Sequence, residues 1–140
     1  MMNCMSPSGE RRRFAEASVS QHESSFWVES AVRGGVRFRI ARVSLSRRIE
    51  LARHIREIAR RLEFLEASSD VGERLEAAVV QGEVDRAYLQ WGLEAVDGLR
   101  IDGAEATPEM LIERGPLELA MEILSRIRGE CGLSENERKN

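Results

Sequence analysis

The chain is short of several things at once. It holds 2 cysteines, 2 histidines and a single lysine in 140 residues, and aromatics make up 5% of it. Cys4 and Cys131, one near each end, argue against a disulfide framework and suit a reducing interior. His22 and His54 have neither a Cys nor a second His at ligand spacing, so no metal site and no cofactor are predicted. No apolar run approaches the roughly 18–20 residues of a membrane span. Arg11, Arg12 and Arg13 have no apolar stretch behind them, so they do not open a secretory signal. The expected location is the cytoplasm.

Reactive constellations are missing as well. Neither a Ser-His-acid set nor a Cys-His pair can be assembled from these spacings. Gly34-Gly35 lacks the GK[ST] ending of a phosphate loop. Asp102-Gly103 is followed by alanine where a calcium loop needs ligands, with no bidentate Glu at the right distance. The carboxylates of the second half (Glu83, Asp85, Glu94, Asp97, Asp102, Glu105, Glu109 and Glu113) read as solvated helix faces and caps. The chain is expected not to be an enzyme.

What is present is arginine, unevenly spread. Residues 1–66 carry 13 Arg against 8 acids, whereas residues 67–140 carry 8 Lys plus Arg against 16 acids. Between Arg33 and Arg61 there are ten Arg and only Glu50 and Glu57 against them. Such halves can attract each other within the fold or steer acidic and basic partners separately. Arg37, Arg39, Arg47, Arg48, Arg53, Arg56, Arg60 and Arg61 form a candidate surface for an acidic protein partner. A solvated helix face explains them too. Nucleic acid is disfavoured, since the net charge is -3 and few aromatics offer stacking platforms.

The pattern along the chain predicts a mainly α protein with a small N-terminal β-hairpin, an α+β domain of four to five helices. Residues 1–24 have no sustained apolar period and are expected to be a disordered tail; residues 25–140 form one domain. Alternation through Phe26 and Val28, then through Val36, Phe38 and Ile40, brackets Gly34-Gly35 and signals a hairpin. Arginine on the outward side of its second strand is expected to discourage edge pairing. Trp27, out of phase with Phe26 and Val28, is placed on the exposed side as a candidate anchor.

Ser44 or Ser46 should cap a helix reaching about Glu66, with Leu51, Ile55, Ile58, Leu62 and Leu65 as its apolar stripe. A second long helix is expected over 71–96. Leu75, Ala78, Val79 and Gly82, then Val84, Ala87, Tyr88, Trp91 and Ala95, are expected on its buried side. Close approach of another helix is the expected reason for Gly82 and Gly92. Thr107-Pro108-Glu109 opens a short helix that stops at Gly115, and Pro116 opens the next. Ser134 and Glu137 make a capping box at the very end. With Leu133 beside it, Glu137 marks a further candidate contact surface.

A hairpin with a VRFRI strand, an arginine-rich helix, YLQWGLEAVDGLRIDG, ATPEML, GPLEL and the closing CGLSENERKN follow one another in this chain. That order resembles the small tail assembly chaperone proteins of tailed phages and prophages, over about residues 26–140. The resemblance implies a non-enzymatic protein that holds the long tape measure protein and brings it to the tail tube protein. It also implies a longer product made by ribosomal frameshifting, which the stop at Asn140 inside a newly begun helix would fit. Self-association is left open. Two rivals stand beside it: a nucleic-acid-binding regulator using residues 33–61, and a minor structural virion protein.

Overall fold

A computed structural model describes residues 18–67 and 70–132. The expected terminal capping box, Leu133, Glu137 and most of the expected tail lie outside the described residues. Residues 18–24 run exposed into the first strand, where Arg42 N–H donates to the Ser24 carbonyl at 2.8 Å.

Strands β1 (Ser25–Glu29) and β2 (Arg37–Ala41) form the expected antiparallel hairpin, with Phe26 opposite Ile40 and Val28 opposite Phe38. Phe38 and Ile40 are fully buried, while Arg37 and Arg39 point to the other face. Alternation did its work here because one face is covered and one is wet. The turn between them needs the left-handed backbone of Gly35, at φ 83.

Two long helices follow. Helix α1 (Leu45–Glu66) starts at Ser44, whose hydroxyl accepts from Arg47 N–H at 3.2 Å. Helix α2 (Val71–Gly92) starts at Asp70, whose carboxylate accepts from Gly72 N–H at 2.7 Å. Each satisfies an amide that helical geometry leaves orphaned. Helix α2 ends at Gly92, not at residue 96. A Cβ on Gly92 would sit 2.7 Å from Cγ2 of Ile127, so the close approach expected at this glycine is real. At Gly82 nothing lies within 4 Å, and that expectation fails.

Residues 93–97 turn from helix into strand β3 (Leu93–Asp97), which pairs antiparallel with β2 and makes β2 central in the order β1-β2-β3. The arginines of β2 therefore do not guard an edge. They face carboxylates on the new strand: Arg37 meets Asp97 at 2.9 Å and Arg39 meets Glu94 at 3.3 Å. Opposite charges across a ladder favour the pairing they were expected to prevent.

Strands β4 (Arg100–Ile101) and β5 (Ala104–Glu105) close through Asp102 (φ 52) and Gly103 (φ 84), as an Asp-Gly turn with two positive φ values should. Helix α3 (Pro108–Arg114) is capped by Thr107, and helix α4 (Leu117–Cys131) ends on Gly132 in the left-handed conformation. Leu119, Ile123, Leu124 and Ile127 of α4 join Phe38, Ile40, Leu51, Ile55, Val84 and Tyr88 in one large core.

Candidate functional site

The helical hairpin α1–α2 positions everything that follows. Each helix has 22 residues and so runs about 33 Å. The inner half of the pair is clasped by the sheet and by α4, through Leu51, Ile55, Val84 and Tyr88. The outer half is held by a separate, smaller cluster of Leu62, Ala77 and Val80, with Ile58 and Leu65 against it. There α1 and α2 have only each other among the described residues.

The outer half leaves large apolar side chains in water. Phe64 is 74% exposed, Val71 68%, Leu75 67% and Val79 55%. Leu75, Ala78, Val79 and Gly82 were expected in the core, and all four are exposed. Helix α2 is apolar on two faces. Ala77 and Val80 cluster with Leu62 of α1 and Val84 lies in the main core, while the Leu75 face is turned outward. Further along, α4 packs on α2, with Arg128 meeting Asp85 at 2.6 Å and Ile127 meeting Gly92. Ala77 and Val80, nearer the start of α2, belong to the smaller cluster, which includes no residue of α4.

The candidate arginines separate into two sets. Arg37 and Arg39 are held by β3 as described, and Arg39 Nε also donates to Ser25 Oγ at 2.6 Å. Arg47 lies over the Trp91 ring at 4.8 Å and donates to the Trp91 carbonyl at 3.2 Å. Arg61 reaches Glu83 at 3.4 Å and Glu76 at 3.6 Å across the helix pair. Arg33 pairs with Glu118 and Arg42 with Glu130, and Arg48 is engaged as well. The basic and acidic halves of the chain thus attract each other within the fold. Arg53, Arg56 and Arg60 have no ion-pair partner among the described residues, and all three are exposed.

Trp27 stands on the outer face of the sheet, 42% exposed, with the Arg37 guanidinium 4.5 Å from its ring centre. This stacking uses part of the aromatic face. Tyr88 is buried in the core, as its helical spacing suggests, and Trp91 is half-buried against it. The clamp that holds the β1–β2 turn was not foreseen. Glu122 of α4 accepts from Ser30 Oγ and from Ala31 N–H, each at 2.6 Å, and Ser30 Oγ in turn accepts from Arg33 N–H at 3.0 Å. Glu122 carries no local signal, because its partners lie 92 and 91 residues away.

Chemical groups do not converge. His22 and His54 are both exposed, and no three of His, Cys, Asp and Glu come together among the described residues. Cys131 is buried; loss of hydration, with Glu130 nearby, pushes its thiol up to about 11, against a smaller opposing effect from Arg48 and Arg47. Such a thiol is a poor nucleophile. An open depression of about 470 Å³ is lined by residues 96–100, Glu105 and Ala106; a smaller one, about 190 Å³, lies between Gln90, Leu93, Pro108 and Ile112. Neither is lined by a histidine, cysteine or hydroxyl side chain.

No family model, curated protein or solved structure matches this chain. None of the described helices is long and apolar enough to cross a membrane.

Proposed function

We propose that the protein is a non-enzymatic tail assembly chaperone of a tailed phage or prophage, working in the cytoplasm of the host bacterium. Its clients on this reading are the tape measure protein, the tail tube protein, or both. The resemblance of the motifs around Trp91, Pro108 and Pro116 suggests the family. The outer helical hairpin supports the mode of action, since Val71, Leu75 and Val79 offer water an apolar face on one side of α2.

Exposed apolar surface of this kind marks an interaction site. An amphipathic client helix would lay its apolar stripe along Leu75 and Val79, with Ala78 and Gly82 allowing close approach. Burying that client face shields it from aggregation until the tube polymerises. Co-expression of the chain with the tape measure and tube proteins encoded beside it tests the reading. Co-purification with at least one is expected, reduced at least tenfold by Leu75→Glu with Val79→Glu. Retention of neither protein by the unaltered chain ends it.

A second reading, a small nucleic-acid-binding regulator, would have to rest on Arg53, Arg56 and Arg60, which make no ion pair among the described residues. Its mark is duplex binding that weakens steeply with salt. No binding at low salt removes it.

A further inference from the structure

We infer that the outward side of α1 is a docking surface for an acidic amphipathic helix, separate from the apolar side of α2. Ile49, Arg53, Arg56, Arg60 and Phe64 follow one another at spacings of 4, 3, 4 and 4, which puts them on one face of the helix. That face is turned away from Leu51, Ile55 and Leu62, the residues that α1 buries. All five are exposed, Ile49 at 50% and Phe64 at 74%.

Charge complementarity identifies the occupant. The fold neutralises or engages the other arginines between 33 and 61, yet among the described residues no carboxylate pairs with Arg53, Arg56 or Arg60. Three guanidinium groups spaced over two turns match carboxylates repeated at the same period on a facing helix. Ile49 and Phe64 stand at the two ends of the stripe, roughly 22 Å apart along α1. They supply the apolar contacts that charge alone does not. An aliphatic residue at one end, an aromatic at the other and cations between them suit a helix of about four turns. A nucleic acid suits them less. Its bases would find one aromatic ring, Phe64, on this face, and no stacking groove. The inference stands whether or not the client reading of α2 holds, because it concerns another face and another chemistry.

The test uses the full chain and a designed 18-residue probe, a peptide helix with leucines on one face and glutamates flanking them. A control peptide of identical composition distributes the leucines around the helix, and a short DNA duplex forms the third arm. Anisotropy titrations at low and physiological salt should show the amphipathic peptide binding at least tenfold more tightly than its control. Arg53→Gln, Arg56→Gln and Arg60→Gln together should weaken it tenfold or more and flatten the salt dependence. Phe64→Ala should weaken it severalfold and leave the salt dependence alone. Arg37→Gln with Arg39→Gln, on the sheet, should change it less than twofold. All these residues are exposed, and circular dichroism checks that the variants keep their helices. Equal binding of the two peptides, no effect of the triple variant, tighter binding of the duplex, or a dimer that covers this face would each overturn the inference.

Discussion

The two ends of the α1–α2 hairpin are built from the same two helices and lead different lives. At the inner end, Leu51 and Ile55 pack in a core that also holds Phe38, Ile40, Tyr88 and Ile127, with layers on both sides of α2. At the outer end, Leu62, Ala77 and Val80 make one seam, and Phe64, Leu75 and Val79 face solvent. A helix apolar on two faces needs two partners. The inner half of α2 has both; the outer half has one. Stability is thus concentrated where the sheet and α4 sit, while unspent apolar surface is concentrated where they do not reach.

Truncations should expose that gradient. Phe38→Ala, at a fully buried site, is expected to cost about 3–5 kcal/mol in urea unfolding, against about 2 kcal/mol for Leu62→Ala in the thin outer seam. Equal costs would mean that the outer half is as well packed as the inner. Hydrogen exchange gives the same comparison without mutation: amides near residues 58–65 should open with a smaller free energy than those of Phe38 and Ile40.

Alkaline pH probes the inner end through Cys131. The Cys131 thiol is raised from 9.0 to about 11 in the fold, so the folded state holds its proton longer than the unfolded chain does. The stability tied to that proton is fully present below pH 9 and is lost as pH climbs toward 11, an effect on the order of 2–3 kcal/mol. Cys131→Ala should flatten the stability profile between those limits in a pH series of denaturant melts. The smallest effect belongs to the outer surface: Leu75→Ala should leave the unfolding free energy within about 0.5 kcal/mol of the unaltered chain. A large loss there would mean that Leu75 is covered in solution.

Features set by neighbours in the chain were legible in advance. The alternation at Val36, Phe38 and Ile40, the caps at Ser44, Asp70 and Thr107, and the Asp102-Gly103 turn all follow from local rules. Trp27 fell on the outward side for the same reason. Strand β3 was not legible. Leu93 to Val96 continues a plausible helical period, and only the open side of β2, together with Gly92 pressed against Ile127, turns it into a strand. The choice of face on α2 was hidden too, because Leu75 and Val79 satisfy a helical period as well as Ala77 and Val80 do. Phe64 could have been noticed, since it extends the period of Arg53, Arg56 and Arg60 by one turn.

The amino-acid order by itself determined the hairpin, the helix starts, the turns and the opposition of a basic first half to an acidic second half, because each depends on residues within a few positions of one another or on simple totals. Only the tertiary structure decided which charges are paired within the fold. Arg37 is engaged by Asp97, 60 residues on, while Arg53, Arg56 and Arg60 make no ion pair among the described residues, because an ion pair is made by closeness in space and packing alone brings distant segments within reach.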